Sequence, residues 1–369
     1  MLTDLILVDT RSRGPEHILF NGSLIKLLGQ HRSLLLISDR QHAVELENYI
    51  SDIDHHDFDV PQAKPGWQGA LQQIKIFFKF TRLQKRFSSR SPVMFLSVSP
   101  LFLLLRFIFA YRNKDTFVLH SELEHITKST LQGFVLRVVF FLLRVASNKR
   151  LLVLADHIKP NLQSIGYDHY RIESLPHPYH CVFDYFGGSE EAHSPPTPPL
   201  VVGMTGYIRA KSKGLSRFLR LVNLANGAVN FTLIGRFESG LQLPEVQGLS
   251  CPFKDAVTAV PQANFDSECS KLDLLVFTYE SNAYEFTSSG AILDSLKFST
   301  PILALPNPLF DYLEENSLFP GKIFRTEFEL VQYIENYSRE DADALQKRIN
   351  CFRGYSQNTD LKKLLGWWA

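Results

Sequence analysis

The chain has few cysteines and no apolar stretch long enough to cross a bilayer. Its 369 residues include 4 cysteines, and none has the Cys-x-x-Cys spacing of a metal or redox site. We therefore expect reduced thiols in a cytoplasmic protein. Residues 101–111 and 134–146 are strongly apolar, but both contain arginine. Both are also much shorter than the roughly 20 residues that a spanning helix needs.

Two further features are missing. No basic segment precedes the first apolar run, because Asp4 follows Met-Leu-Thr directly. We expect residues 5–8 to form a buried first strand rather than part of a signal peptide. In addition, no Asp-x-Asp sequence follows a predicted strand, so we predict no metal site.

Acidic residues are scarce between positions 60 and 150, which contain 15 Lys and Arg but only 3 Asp and Glu. The chain as a whole has a net charge of only +1. Within this region, residues 74–90 repeat apolar and basic side chains at helical spacing. The pattern predicts an amphipathic helix whose basic side lies on an anionic membrane surface. The residues predicted to face the membrane are Lys75, Lys79, Arg82 and Arg86. One alternative is a core-packed helix with a solvated basic side. Another is a nucleic-acid binder, which leaves the phosphate loops described below unexplained.

Apolar runs of strand length alternate with helical segments along the whole chain. The predicted strands are residues 5–8, 33–38, 95–98, 116–119, 151–155, 200–204, 231–235, 272–278 and 301–305. The predicted helices include residues 18–28, 101–111, 134–146, 158–165, 215–224, 291–298 and 326–337. This order is typical of two α/β domains, each with a doubly wound parallel sheet. A proline-rich segment, residues 187–200, predicts a linker and a boundary between domains 1–188 and 189–354.

Polar residues follow several of these strands, where such folds bind ligands. His120 and Glu122 follow the strand at 116–119, so His120 is a candidate for contacting substrate and Glu122 or Glu124 for the general base. A helix cap formed by Ser121 and Glu124 is the alternative. Gly14 lies in the loop after the first strand.

Two segments of the second half are typical of phosphate sites. The loop after residues 200–204 carries Arg209, Lys211 and Lys213, and it ends in Gly214 at a helix start. Lysine and arginine neutralise a diphosphate, and glycine lets the backbone approach it. The turn 288–290, Ser-Ser-Gly, opens a second helix whose free N–H groups favour an anion. A solvated cluster of charges is the alternative for the first loop.

The second half resembles the donor domain of nucleotide-sugar glycosyltransferases of the GT-B fold, in particular the large retaining bacterial family (group 1 type). That family carries two acids separated by seven residues, and here eight residues separate Glu285 from Asp294. Residues 294–296 and 299–302 match the segment around the second acid and the strand after it. Lys213 and Gly214 match the Lys-Gly end of the family's diphosphate loop.

The resemblance implies two Rossmann-like domains facing a cleft and metal-independent hexosyl transfer, retaining rather than inverting. It implies a UDP- or GDP-linked sugar as donor and no separate cofactor. The implied donor-binding residues are Gly14, Arg209, Lys211, Lys213, Gly214, Arg236, Ser288, Ser289, Gly290 and Asp294. The implied catalytic residues are His120, Glu122 and Glu285, with Glu280 as the alternative to Glu285.

Charge and resemblance together suggest a lipid-linked or oligosaccharide glycan as acceptor. We expect a cytoplasmic enzyme bound peripherally to the inner face of the cell membrane, acting in the synthesis of a bacterial surface polysaccharide such as capsule or exopolysaccharide. The last helix, about residues 355–369, is expected to cross back onto the first domain. A catalytically inactive GT-B scaffold that binds a glycan or a protein partner is the rival hypothesis, suggested by the altered spacing of the acids.

Overall fold

The computed structural model describes residues 4–14, 16–50, 53–87, 91–178, 199–225, 227, 229–256 and 260–357. These residues divide into two compact units. The first contains residues 4–178 and 286–288, and the second contains residues 199–285 and 289–357.

The first unit is built on a parallel sheet with seven described strands in the order β3-β2-β1-β4-β5-β6-β7. The strands are β1 (Leu5–Asp9), β2 (Leu34–Ser38), β3 (Asp54–Asp57), β4 (Val93–Ser97), β5 (Asp115–Leu119), β6 (Lys149–Val153) and β7 (Ile172–Ser174). The helices are α1 (Ile18–Gly29), α2 (Arg40–Glu47), α3 (Gly66–Gln84), α4 (Pro100–Phe109), α5 (Leu131–Leu143) and α6 (Ile158–Ser164), and a short 3₁₀ helix spans Ser121–His125.

The central strands are apolar throughout because both faces of the sheet are covered. Ile6 and Val8 of β1 belong to one hydrophobic cluster. Leu5 and Leu7, which point the other way, belong to a second cluster with helix α1. Alternate side chains of one strand thus enter two separate cores, as expected for a doubly wound sheet.

The first unit also contains a fully buried network of charges. Arg106 of α4 donates three hydrogen bonds to the Asp115 carboxylate, and the Lys149 amine lies 2.7 Å from the same group. All three side chains are 0% exposed. Gln84, at the end of α3, accepts a further bond from Arg106. Burial lowers the pKa of Lys149 to about 8, although Asp115 opposes the shift.

The second unit has a parallel sheet with six described strands in the order β10-β9-β8-β11-β12-β13. The strands are β8 (Val201–Thr205), β9 (Asn230–Ile234), β10 (Leu249–Ser250), β11 (Leu274–Phe277), β12 (Ile302–Ala304) and β13 (Gly321–Ile323). The helices are α7 (Leu215–Leu224), α8 (Gln262–Cys269), α9 (Asp294–Phe298), α10 (Pro308–Glu315), α11 (Glu327–Glu335) and α12 (Arg339–Gln357), and a 3₁₀ turn at Gly290–Leu293 precedes α9.

The predicted pair of doubly wound parallel sheets is confirmed, but some elements differ from the sequence prediction. Helix α3 begins at Gly66 and ends at Gln84 rather than spanning residues 74–90. In its first two turns Trp67 and Leu71 are exposed, and the inward position is taken by Gln72, which bonds the backbone of Gln62 and Lys64. Arg86 therefore lies two residues beyond the helix.

The sequence pattern does not predict the edge strand β3, because its four residues, Asp-His-His-Asp, are polar. Polar edge strands resist pairing with other sheets. An Asp-x-Asp sequence, residues 57–59, therefore does follow a strand. Its carboxylates lie 3.5 Å from His55 and 3.6 Å from Lys79.

The predicted linker at 187–198, the boundary at 188/189, and residues 358–369 of the predicted last helix lie outside the described residues. In the described part of the chain, no helix is both long and apolar enough to cross a membrane.

Candidate functional site

The loops that follow β8, β9 and β11 approach each other so closely that they require glycine. Gly235 has φ 137°, and a Cβ there would lie 1.9 Å from the carbonyl oxygen of Gly206. Gly214 has φ 63°, and a Cβ there would lie 1.8 Å from the carbonyl oxygen of Thr278. The carboxyl ends of these three strands therefore form one compact surface, and the Thr278 carbonyl oxygen requires glycine at position 214. Contact between Gly214 and a diphosphate stays a prediction.

Lys213 and Ser289 meet at this surface through the hydroxyl of Tyr279. The Lys213 amine donates to Tyr279 Oη at 2.8 Å and lies 3.4 Å from the Thr205 carbonyl oxygen. Tyr279 Oη lies 2.9 Å from Ser289 Oγ. The lysine is only 5% exposed, so its charge is poorly solvated. The two phosphate-type segments are thus brought together in space.

Burial perturbs both ionisable groups of this cluster. It lowers the pKa of Lys213 to about 7, and the nearby Asp294 only partly restores it. It raises the pKa of Asp294 to about 6, against the hydrogen bond from Thr205 Oγ1 at 2.9 Å and the charges of Lys297 and Lys213. A buried amine that has lost part of its solvation is stabilised more by a bound anion than a fully hydrated amine is.

Two predicted donor-binding arginines lie over a single aromatic ring. The guanidinium of Arg209 is 4.8 Å from the ring centre of Tyr207, and that of Arg236 is 5.7 Å from it. Both are exposed, and cation–π contacts hold them on the ring. The structure thus brings Arg209 and Arg236 together. Within the described residues, the exposed side chain of Lys211 forms no hydrogen bond, ion pair or cation–π contact.

The loop from β11 to the 3₁₀ turn carries both candidates for the first acid. Glu280 and Glu285 are partly exposed, and the geometry does not favour one of them. A Cβ on Gly290 would meet no atom of the described chain within 4 Å, so space is open at the start of the turn. Ser288 belongs to the first unit by its contacts.

In the first unit, His120 and Glu122 are already engaged by neighbouring groups. His120 Nε2 donates to the Leu96 carbonyl oxygen at 2.8 Å, which leaves Nδ1 as the acceptor. Burial lowers the pKa of His120 to about 4 despite that bond, so the ring is neutral at pH 7. Glu122 accepts from the His120 backbone N–H at 2.8 Å and forms an ion pair with Arg11. A neutral His120 is suited to accepting a hydrogen bond.

Gly14 is held by a buried polar network at the end of β1. His42 Nδ1 donates to the Gly14 carbonyl oxygen at 2.9 Å, and its Nε2 accepts from Asn21 at 2.8 Å. Asn21 also donates to Asp9 at 2.9 Å. Burial alone would raise the pKa of Asp9, but the backbone N–H groups of Ser12 and Arg11 lower it, and a positive charge on His42 would lower it further. The network connects Gly14 to helices α1 and α2.

The predicted membrane-facing residues are exposed on one side of α3 and just after it. The apolar stripe of the same helix, including Ile76, Phe77 and Phe80, is buried in the first core. Helix α3 is therefore packed against the sheet, as in the alternative interpretation, while its basic side remains exposed. Membrane contact stays a prediction.

Several residues of these networks are absent from the sequence prediction. Tyr279 directly follows the predicted strand at 272–278, and no local pattern marks it as a site residue. Tyr207 is likewise an exposed aromatic residue in a polar loop. Asp9 and His42 come together only through long-range packing. Within the described residues, no group of three His, Cys, Asp or Glu side chains could hold a metal ion.

The fold is shared with solved glycosyltransferase structures. The chain is 14% identical to HepE from Anabaena, solved in complex with UDP-glucose, with a TM-score of 0.66 over 99% of this chain and 98% of that chain. It is 10% identical to sucrose-phosphate synthase from Thermosynechococcus elongatus, with a TM-score of 0.63 over 98% of each chain.

WaaG, a glycosyltransferase involved in lipopolysaccharide biosynthesis, is 10% identical, with a TM-score of 0.54 over 98% of this chain and 97% of that chain. No family model matches the chain, and no curated protein sequence matches it. The structural similarities show that the chain has the GT-B fold, as predicted from its sequence.

Proposed function

We propose that the protein is a glycosyltransferase that takes a sugar from a nucleotide-diphospho sugar. The observation that carries the proposal is the cluster of Lys213, Tyr279, Ser289 and Asp294 at the carboxyl ends of β8 and β11. Ligands of doubly wound sheets bind at this edge. The complexes of HepE with UDP-glucose and with UDP support a UDP-linked donor.

In this proposal the second unit stabilises the leaving diphosphate. Lys213, Arg209 and Arg236 supply positive charge, with Lys211 as a further cation, and the N–H groups at Ser289 and Gly290 add hydrogen bonds. Such preorganised groups stabilise charge as it develops, which is commonly the largest catalytic contribution. The buried Lys213 amine is effective because little water competes for it.

Asp294 and the acids of the preceding loop are assigned to the rest of the donor. Asp294 Oδ2 accepts from Thr205, and Oδ1 remains for a ribose hydroxyl. Glu285, or Glu280 in its place, faces the transferred sugar, with retention of anomeric configuration as the proposed outcome. No metal ion is required, because protein groups neutralise the diphosphate.

The first unit is assigned to the acceptor. His120 Nδ1 accepts a hydrogen bond from the acceptor hydroxyl and orients it, since a pKa of about 4 makes full proton abstraction unfavourable. Arg11 and the His120 backbone hold Glu122, so Glu122 acts by fixing this loop. The proposed acceptor is a lipid-linked glycan of surface-polysaccharide synthesis. The excess of Lys and Arg between positions 60 and 150 supports binding to an anionic membrane. So does Trp67, which is 71% exposed.

Binding and turnover of UDP-glucose test the proposal. We expect Lys213→Met and Asp294→Asn to weaken UDP binding, measured by calorimetry, and to lower UDP release from UDP-glucose. Lys271→Met is the matched control, because that lysine is 58% exposed and pairs only with Glu268 in the described chain. Equal affinity and turnover in all three variants and the wild type would show that this cluster is not the donor site. No UDP release from UDP-glucose by the wild type would favour the inactive scaffold.

A further inference from the structure

Two cavities lie side by side along helix α3, and neither contains a residue of the proposed donor site. One cavity of about 630 Å³ is lined by four cations, Lys75, Lys79, Arg82 and Arg86, and by one carboxylate, Asp57, together with His56 and Phe78. The other, of about 580 Å³, is lined by apolar groups that include Trp67, Leu71 and Ile76. Lys75 and Lys79 line both cavities, so the two are adjacent.

The cations of the first cavity are available to an anion. Lys75, Arg82 and Arg86 are exposed, and no ion pair is recorded for them in the described part of the chain. Lys79 lies 3.6 Å from Asp59, but that carboxylate is 85% exposed, so an exposed pair of this kind contributes little. Four cations therefore surround one small volume with a single carboxylate, Asp57, which is 59% exposed, so the cavity keeps a positive excess.

The apolar side chains beside these cations are unusually exposed. Trp67 is 71% exposed, Leu71 47% and Phe78 54%. Contiguous exposed apolar groups bordered by charge commonly mark a binding surface. Arginine side chains bind phosphate oxygens through two parallel N–H bonds. The combined surface thus offers phosphate recognition next to a place for hydrocarbon.

We propose that these cavities bind one phosphorylated lipid, with its phosphate among Lys75, Lys79, Arg82 and Arg86 and the start of its hydrocarbon chain over Trp67 and Leu71. The inference does not depend on the proposed glycosyl transfer. It goes beyond general attraction to an anionic membrane, because it requires saturable binding of a single lipid molecule. A nucleic acid would use the cations but not the apolar cavity.

A soluble lipid tests the site. Dihexanoyl phosphatidic acid, kept below its micelle concentration, is titrated into the full chain by calorimetry. We expect saturable one-to-one binding that Arg82→Gln/Arg86→Gln weakens about tenfold or more. The matched control is Lys85→Gln/Lys128→Gln, which removes the same charge from exposed residues that line neither cavity. It should change the affinity by no more than about twofold.

The apolar cavity is tested separately. The dihexanoyl lipid should bind more tightly than the dibutanoyl lipid and far more tightly than inorganic phosphate, and Leu71→Ser should reduce this dependence on chain length. Equal affinity for inorganic phosphate would overturn the lipid assignment. So would equal weakening in the control pair, pelleting with anionic vesicles without saturable binding of the monomeric lipid, or displacement of the lipid by an equimolar RNA oligonucleotide.

Discussion

UDP-glucose binding should weaken as pH rises through neutrality, because Lys213 must carry a proton to neutralise the diphosphate. In the free protein, burial holds its pKa at about 7, far below the ordinary 10.5. A bound diphosphate moves the pKa back towards 10.5. From these two values, affinity should be about 25-fold lower at pH 8.5 than at pH 6.5, a loss of about 2 kcal/mol. Binding at pH 8 should take up about 0.9 proton.

Few other groups of the cluster titrate in this range. Asp294, with a pKa of about 6, is already mostly ionised at pH 6.5. Burial raises the pKa of Tyr279 well above its ordinary value, so its hydroxyl stays protonated. The lowered pKa of Lys213 gives folding stability the opposite pH dependence from UDP-glucose affinity. The unfolded chain binds the extra proton between pH 7 and 10.5, so stability rises with pH across that window.

Calorimetry from pH 6.5 to 8.5, in two buffers of different ionisation enthalpy, measures both affinity and proton uptake. Lys213→Met should bind weakly at every pH, with the wild type approaching it as pH rises. Lys271→Met should reproduce the wild-type pH profile. A flat wild-type profile without proton uptake would refute the reasoning.

Three other predictions concern steric fit, cation placement and the buried charges. Gly214→Ala should cost about 3 kcal/mol or more of unfolding free energy in urea, because its Cβ would collide with a carbonyl oxygen and its φ is positive. Tyr207→Leu should raise the Kd for UDP about three- to tenfold by releasing two guanidinium groups, whereas Tyr207→Phe should stay near wild type. Asp115→Asn should cost about 3–5 kcal/mol in urea, because Arg106 and Lys149 would be left as buried cations without a counter-charge.

Each of these has its own check. Gly354→Ala lies in helix α12, where the new Cβ meets no atom of the described residues within 4 Å, so it should be neutral or stabilising by up to about 1 kcal/mol. Equal loss of stability in both glycine variants would contradict the steric argument. Equal Kd values for the two Tyr207 variants would remove the cation–π explanation. An unchanged urea midpoint for Asp115→Asn would show that the network is unimportant for stability.

Strands buried on both faces could be predicted well, because burial leaves a continuous apolar run. This holds for β1, residues Leu5–Asp9, and for β11, residues Leu274–Phe277. The edge strand β3 and helix α12 were missed for the same physical reason. β3 is polar, and α12, Arg339–Gln357, is rich in charge, so neither has a strong apolar pattern.

The candidate site was predictable where a short segment carries the chemistry. The loop ending in Lys213 and Gly214 and the turn at Ser289 have recognisable local patterns. Their meeting at Tyr279 is a product of strand order in the sheet, which no local pattern encodes. His42 is a similar case. It lies in α2, 28 residues after Gly14 in sequence, yet its ring bonds the Gly14 carbonyl oxygen.

The phenol of Tyr279 offers a spectroscopic use. Its oxygen bonds both the Lys213 amine and the Ser289 hydroxyl, so an anion that recruits either group alters the electronic environment of the ring. Incorporating 3-fluorotyrosine at position 279 would place a fluorine atom beside that oxygen. Its NMR chemical shift would then report directly whether the proposed donor site is occupied. Donor preference could then be screened across nucleotide sugars without an acceptor or a coupled enzyme.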